Sequence, residues 1–172
     1  PFEELLNNDG AYEPVTIEPE KAVAVLQYTG GTTGVPKGAI LTHANIYTNT
    51  IQCGVWFPGL EPGVERIMGV LPFFHVFAMT AVMNMSIYLG AVIIMHPRFE
   101  LDTVLDDINK KKPTLFDGVP TMFGAINAHP KLKAFDLKSI KACISGGAPL
   151  PLDVKKRFEE LSGCKLVEGY GL

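Results

Sequence analysis

The sequence predicts an α/β fold in which a mainly parallel sheet carries helices on both faces. Short apolar runs alternate with helical patterns along most of the 172 residues, and this order is typical of a parallel sheet. Apolar residues make up 47% of the chain and charged residues 19%, which is enough apolar material for the core of one domain. Glycine and proline separate the runs and mark the turns.

The elements follow from local signals. The predicted strands lie at 22–28, 38–41, 67–71, 91–95, 114–116, 140–144 and 165–167. The predicted helices lie at 43–57, 76–88, 101–112, 119–128 and 152–162. Thr42 suits an N-cap, and apolar residues recur at i, i+3, i+4 and i+7 from Leu101. Pro113 ends that helix, and Gly163 suits a C-terminal cap. We interpret residues 1–20, which are acidic, as a surface lead-in to a domain at 21–172.

Residues 67–95 contain no charged side chain and are long enough to cross a bilayer. However, Pro72, His75, Asn84 and Gly90 interrupt the stretch. We therefore expect a buried strand–helix–strand unit and no membrane span.

Composition excludes some functions. The formal net charge of −3 argues against a nucleic-acid surface. Cys53, Cys143 and Cys164 are far apart in sequence and form no metal-binding pattern. We expect buried, reduced thiols in a cytoplasmic protein, with peripheral contact to a membrane surface left open.

The segment 28–38 is the strongest chemical signal. It combines four glycines, three threonines and one lysine. Glycines let successive N–H groups face one anion, and Lys37 adds a positive charge. The spacing differs from that of a P-loop, and a strand follows it in place of a helix. An ordinary glycine-rich hairpin is the alternative.

Five loops follow predicted strands, and in parallel sheets such loops bind ligands. They lie at 29–37, 72–75, 117–120, 145–149 and 168–171. The sequence therefore predicts one crevice lined by these loops.

Four of these regions carry motifs in a fixed order: TGGTTGVPKGAILTH at 29–43, PFFHVFAM at 72–79, SGGAPL at 145–150 and EGYGL at 168–172. Together they resemble the adenylate-forming enzymes, a family of acyl-CoA and aryl-CoA synthetases, firefly-type luciferases and peptide-synthetase adenylation domains. The chain is most similar to a long- or medium-chain fatty-acid–CoA ligase. It would be an internal fragment of the large N-terminal domain, without the C-terminal domain.

The resemblance implies a two-step reaction in which ATP and a carboxylic acid form an acyl-adenylate, and coenzyme A then displaces AMP. Mg²⁺ would accompany ATP. The implied catalytic residues are Lys37, Thr32 and His75. The implied nucleotide-binding residues are Thr29, Gly30, Gly31, Thr32, Thr33, Gly34, Val35, Pro36, Lys37, Gly146, Gly147, Ala148, Pro149, Glu168, Gly169, Tyr170 and Gly171. The family more often has serine at Gly30.

Within this set, 146–149 would pass beside the adenine and Tyr170 would stack on its other face. A lone histidine such as His75 is usually structural, whereas the resemblance places it beside the acyl carboxylate. Amino-acid-activating members commonly have aspartate there, so a histidine among Phe73, Phe74, Phe77 and Met79 favours a fatty or aryl acid. We interpret the other histidines, Tyr47 and Trp56 as structural or surface residues.

The family's Mg²⁺-binding glutamate and catalytic lysine would lie beyond Leu172. We therefore expect the 172 residues alone to be inactive, and uncovered apolar surface could pair two copies. An aryl-CoA ligase, a luciferase-like enzyme and a non-catalytic nucleotide-binding module remain the alternatives.

Overall fold

The computed structural model describes residues 2–11, 13–29 and 37–171. The strands are β1 Val23–Thr29, β2 Lys37–Thr42, β3 Arg66–Gly69, β4 Val92–Met95, β5 Leu115–Phe116, β6 Ala142–Ser145 and β7 Lys165–Glu168. The α-helices are α1 Phe2–Leu6, α2 His43–Trp56, α3 Val76–Ala78, α4 Met85–Leu89, α5 Leu101–Lys111, α6 Pro120–Asn127 and α7 Leu152–Ser162. A π-helical segment, Met79–Asn84, joins α3 to α4, and Leu132–Ala134 forms a 3-10 turn.

Five strands form one parallel sheet in the order β4-β3-β5-β6-β7. The register pairs Ile67 with both Ile93 and Leu115, and Cys143 with Leu166. The predicted α/β class with a mainly parallel sheet is confirmed. The carboxyl ends of all five strands therefore lie at one edge.

The strands β1 and β2 differ from the expectation. They pair antiparallel with each other as a separate two-stranded sheet, from Val23 opposite Thr42 to Thr29 opposite Lys37. The prediction that the loop 29–37 follows a strand of the parallel sheet is therefore wrong. A loop short enough to join neighbouring strands favours a hairpin, because parallel pairing needs a long crossover.

Helices cover both faces of the parallel sheet. On one face α5, α6 and α7 contribute Val104, Phe123 and Phe158 to a buried cluster around Phe116. The ring centroids of Phe123 lie 5.3 Å from Phe116 and 5.0 Å from Phe158, in edge-to-face geometry. On the other face, the helices from 76 to 89 bury a second cluster, which includes Val82 and Met85 against the sheet.

Local signals set the ends of several helices. The Thr42 hydroxyl accepts a hydrogen bond from the Asn45 N–H, and the Asn45 side chain accepts one from the Thr42 N–H, which closes a capping box ahead of α2. Gly163 ends α7 with φ at 78°. Both caps agree with the sequence prediction.

The apolar stretch 67–95 forms β3, the helical segments from 76 to 89 and β4. Among the described residues, no helix is both long and apolar enough to cross a membrane. The expected strand–helix–strand unit is confirmed, although its central helix changes to π-helical geometry at Met79–Asn84.

The three cysteines are free thiols. Cys143 and Cys164 are buried, as expected, and their sulfur atoms lie 3.7 Å apart because β6 and β7 are neighbours. Burial raises the pKa of Cys143. Cys53 is only half-buried, which corrects the expectation for that residue.

Candidate functional site

The loops that follow β3, β5, β6 and β7 meet at the carboxyl edge of the sheet. Backbone hydrogen bonds join the loops after β5, β6 and β7 directly. Gly118 N–H donates to Ile144 O and Gly146 N–H donates to Gly118 O, both at 3.0 Å. Gly169 N–H donates to Ser145 O at 2.8 Å. These bonds place the predicted loops 117–120, 145–149 and 168–171 side by side.

The PFFHVFAM segment reaches the same place through Phe77. A Cβ atom built on Gly146 would lie 2.9 Å from Cε1 of the Phe77 ring. The ring therefore occupies the space that any larger residue at 146 would need. This contact connects the segment after β3 to the loop after β6.

His75 is the N-cap of α3. Its Nδ1 atom accepts a hydrogen bond from the Phe77 N–H at 3.2 Å, so that nitrogen carries no proton. The ring is exposed. His75 therefore has the structural role that a lone histidine commonly has.

Residues 146–149 have the compact form that the sequence suggests. Gly147 has φ at 79°, which a residue with a side chain rarely adopts. Its neighbours Ala148 and Pro149 are exposed. A flat ligand could therefore lie against this backbone.

The EGYGL segment contributes one anchor and one exposed ring. Glu168 Oε1 accepts a hydrogen bond from the Leu150 N–H at 3.2 Å. Tyr170 is 90% exposed, which leaves its ring available to a ligand. A Cβ atom at Gly169 would lie 2.9 Å from Cγ2 of Ile144, so glycine lets the strands approach here.

The predicted phosphate-binding residues 30–36 lie outside the described residues. The structure gives the base of that loop, where Thr29 and Lys37 are paired at the end of the β1–β2 hairpin. Lys37 is exposed and starts β2. A strand follows the loop, as the sequence predicts.

Asp117 is a buried acid that the sequence interpretation missed. Its Oδ1 atom accepts a hydrogen bond from the Ile144 N–H at 2.9 Å, directly after β5. Burial raises the pKa of Asp117 to about 7, against the opposing effect of that hydrogen bond. The partial burial of Cys53 itself, and then the charge of Asp117, raise the pKa of Cys53. The sequence signal that could have identified Asp117 is its position directly after a short apolar strand.

Two cavities lie near α2. A groove of about 850 Å³ runs between residues 17–21, α2 and α4, and the residues that line it include none of the predicted site residues. A smaller cavity of about 210 Å³ lies between Cys53, Trp56 and Ile144. Within the described ranges, no three His, Cys, Asp or Glu side chains form a group that could hold a metal ion.

Comparisons with known proteins agree with this geometry. The model of the AMP-binding enzyme family matches residues 1–172. A long-chain-fatty-acid–CoA ligase of Bacillus subtilis (strain 168) is 54% identical over 91% of this chain and 28% of its own length. A feruloyl-CoA synthase of Amycolatopsis is 38% identical over 87% of this chain and 30% of its own length.

A solved structure has the same fold. ATP-bound MatB from Rhodopseudomonas palustris superposes with a TM-score of 0.83 at 26% identity, over 99% of this chain and 33% of its own. The chain therefore spans about a third, or less, of the length of the proteins that it resembles.

Proposed function

The chain belongs to the family of AMP-binding enzymes, the adenylate-forming acyl-CoA ligases, and from this premise we propose that it forms part of the ATP-binding domain of a fatty-acid–CoA ligase. The proposal rests on one observation above all. The loops after four neighbouring strands meet at one edge, and three of them carry the family motifs. The identity of 54% with a fatty-acid–CoA ligase supports the substrate class.

The proposed reaction has two steps. A carboxylate oxygen of the acid attacks the α-phosphorus of ATP, the bond to the pyrophosphate oxygen breaks, and pyrophosphate leaves. The sulfur of the coenzyme A thiolate then attacks the acyl carbon, and AMP leaves with the electrons of the carbon–oxygen bond. Adenylate formation turns an unreactive carboxylate into an acyl group with a good leaving group.

The hairpin loop would hold the β- and γ-phosphates. In this proposal, glycine backbone and the hydroxyls of Thr29, Thr32 and Thr33 donate hydrogen bonds to phosphate oxygens. Lys37, at the start of β2, would stabilise the charge that moves to the leaving pyrophosphate. The pairing of Thr29 with Lys37 fixes both ends of that loop.

The adenine would lie between the backbone of 146–149 and the ring of Tyr170. Residues 147–149 and Tyr170 are exposed, and the bond between Gly169 and Ser145 holds their parent strands together. A tyrosine ring can stack on a purine at modest entropic cost.

The acid would bind beside His75. The Phe77 N–H donates to His75 Nδ1, and the Phe77 ring lies against Gly146, so the carboxylate would reach the α-phosphate from the side of α3. A histidine in the apolar sequence of Phe73, Phe74, Phe77 and Met79 suits a substrate without an ammonium group.

Mg²⁺ would arrive bound to the triphosphate and neutralise part of its charge. Among the described residues, no three His, Cys, Asp or Glu side chains form a group that could hold this ion. The proposal includes the binding of coenzyme A. It also divides the chain into a lead-in at 1–20 and a domain at 21–172. The proposed location is cytoplasmic, with peripheral contact to a membrane.

An aryl acid is the second candidate substrate. The feruloyl-CoA synthase is 38% identical to this chain, and an aromatic acid would also suit the phenylalanines near His75. A non-catalytic nucleotide-binding module would share the same loops.

ATP–pyrophosphate exchange tests the proposal. The complete gene product is assayed with fatty, aryl and amino acids, and coenzyme A thioester formation is followed by mass spectrometry. Exchange with fatty acids and release of acyl-CoA are the expected results. Exchange with amino acids alone, or with no acid, would overturn the assignment. The 172 residues assayed alone are expected to show no exchange.

A further inference from the structure

Two of the three cysteines meet at the amino ends of β6 and β7. Cys143 is the second residue of β6, and Cys164 comes directly before β7. Although they are 21 positions apart in sequence, their sulfur atoms lie 3.7 Å from each other. Both belong to the buried cluster around Phe116, so the two thiols share one face of the sheet.

The third thiol lies elsewhere. Cys53 packs against the cluster on the opposite face, which includes Val82 and Met85. The sheet therefore separates Cys53 from the other two cysteines. This arrangement provides an internal control for any reaction of the pair.

Cys164 is the sulfur that a small oxidant can reach first. It is 6% exposed, whereas Cys143 has no exposed surface, and its neighbours Gly163 and Lys165 are exposed. The hydrogen bond from Cys143 lowers the pKa of Cys164 against the effect of its burial. Burial raises the pKa of Cys143. Because the thiolate is the reactive form, Cys164 is the better nucleophile of the two.

The Ser162 hydroxyl supports this role of Cys164. Its oxygen lies 3.1 Å from Cys164 Sγ and 2.7 Å from Phe158 O. A hydroxyl has one proton, which can be donated to either acceptor. When Ser162 donates to the sulfur, it stabilises a thiolate at Cys164.

A bond between the sulfurs needs only a local movement. A disulfide joins sulfur atoms about 2.05 Å apart, so Cys143 and Cys164 must approach each other by about 1.7 Å. The pairing of β6 with β7 starts at Ala142 and Lys165. Cys164 precedes this pairing, so it can shift toward Cys143 while the register of the two strands is kept.

We propose that Cys143 and Cys164 are a modification site, which forms a reversible intramolecular disulfide when the protein meets a hydroperoxide. The inference goes beyond the proposed function and does not depend on it. Cys164 is the attacking thiol, and Cys143 is the thiol that closes the bond. The disulfide would tie the start of β7 to β6, at the edge of the sheet opposite the candidate site.

The reaction has two balanced steps. The Cys164 sulfur attacks one peroxide oxygen, the oxygen–oxygen bond breaks, and the released hydroxide takes the Cys164 proton to form water. The Cys143 sulfur then attacks the Cys164 sulfur of the resulting sulfenic acid. The sulfur–oxygen bond breaks, and hydroxide leaves as a second water with the Cys143 proton. The two thiols lose two electrons in total, and the peroxide gains them.

Peptide mapping of the complete gene product tests the proposal. The folded protein is treated with hydrogen peroxide, the remaining thiols are alkylated after unfolding, and the digest is analysed by mass spectrometry. We expect a linked peptide that joins Cys143 to Cys164, about 2 Da lighter than its two reduced halves, which disappears with dithiothreitol. It should exceed any linked peptide with Cys53 by about tenfold or more, and this preference should be lost when the oxidation is done in urea.

Two variants check the order of the steps. In Cys143→Ala the sulfenic acid at Cys164 has no partner, so dimedone should label Cys164 after peroxide treatment, whereas the wild type should take up little label. Cys53→Ala is the control and should leave the yield of the linked peptide within about twofold of the wild type. The wild-type map decides the proposal even if Cys143→Ala folds poorly.

Two results would overturn the inference. One is recovery of Cys143 and Cys164 as alkylated thiols under conditions that oxidise Cys53. The other is a wild type in which either of them is linked mainly to a different cysteine.

Discussion

Glu65 and Lys141 form an ion pair at the amino-terminal edge of the sheet, opposite the candidate site. Lys141 Nζ lies 2.8 Å from Glu65 Oε1, and Glu65 is fully buried. The same oxygen accepts a hydrogen bond from the Glu61 N–H at 2.9 Å. Burial by itself would raise the pKa of Glu65, but the hydrogen bonds from Lys141 and Glu61 outweigh it and lower the pKa.

Lys141→Met should destabilise the protein by about 2 to 3 kcal/mol at pH 7, because it leaves a buried carboxylate without its cation. The pKa of Glu65 is lower in the folded state, so its contribution is present at neutral pH and is lost as the pH falls through the folded pKa. Urea unfolding at neutral and acid pH measures both effects.

The double variant Glu65→Gln/Lys141→Met should recover part of the loss, since a neutral amide is less unfavourable when buried. Lys165→Met, at an exposed lysine of β7, is the control and should change the free energy of unfolding by less than about 0.5 kcal/mol. Equal effects of the two lysine variants would contradict the importance of the pair.

Asp117 should make stability fall as the pH rises. Its pKa is about 7 in the folded protein against an ordinary value of 3.8, so the folded state keeps a proton that the unfolded state releases. The stabilisation is full below about pH 4 and is lost by about pH 7, with a total on the order of 4 kcal/mol.

Asp117→Asn should remove this slope, because the amide is always neutral and still accepts from the Ile144 N–H. Free energies of unfolding from pH 4 to pH 8 are the measurement. Asp106→Asn, on the exposed side of α5, should keep the wild-type slope. A wild type whose stability is constant between pH 4 and pH 7 would show that Asp117 ionises normally.

Gly146→Ala should destabilise the protein by about 1 to 3 kcal/mol, because the added Cβ meets the Phe77 ring at 2.9 Å. Thermal and urea unfolding test this directly. Adding Phe77→Leu to Gly146→Ala should restore part of the stability by opening that space.

Gly124→Ala, at a glycine inside α6, should stabilise the protein, in contrast to Gly146→Ala. A Cβ there has no heavy atom within 4 Å, and alanine in α6 should stabilise the protein by about 0.5 to 1 kcal/mol. If both alanine variants behave alike, contact with Phe77 is not what limits position 146.

Lys37→Met should lower the rate of pyrophosphate exchange by about 100-fold or more, since one charge that stabilises the transition state is removed. Lys37 is exposed, so the thermal midpoint should stay near that of the wild type. Exchange kinetics with saturating ATP measure the effect. Lys156→Met, at an exposed lysine of α7, is the control. An undiminished rate in Lys37→Met would remove this lysine from the proposed mechanism.

Helix faces and caps could be predicted because they depend on neighbours in sequence. The apolar positions of α5 indicated Leu101, Val104, Leu105 and Ile108. The last three are buried and Leu101 is half-buried. Thr42 indicated the start of α2, and it forms a capping box there. The meeting of the loops after β3, β5, β6 and β7 followed from parallel strand direction alone.

Other features depend on contacts between distant residues. No periodic signal in the sequence indicates the separation of the β1–β2 hairpin from the sheet, the π-helical segment Met79–Asn84 or the burial of Asp117. The bond from Leu150 to Glu168 joins side chain and backbone across 18 positions. The roles of the predicted site residues themselves stay predictions, and the experiments above test them.

The isolated β1–β2 hairpin also bears on the order of folding. Its strands are neighbours in sequence, whereas the pairing of β3 with β5 joins Ile67 to Leu115. Hairpins close in about 1 to 10 microseconds, and sheets built from distant segments form far more slowly. We therefore expect the chain to assemble the stem of the glycine-rich loop early, before the sheet edge beside which the loop is proposed to act.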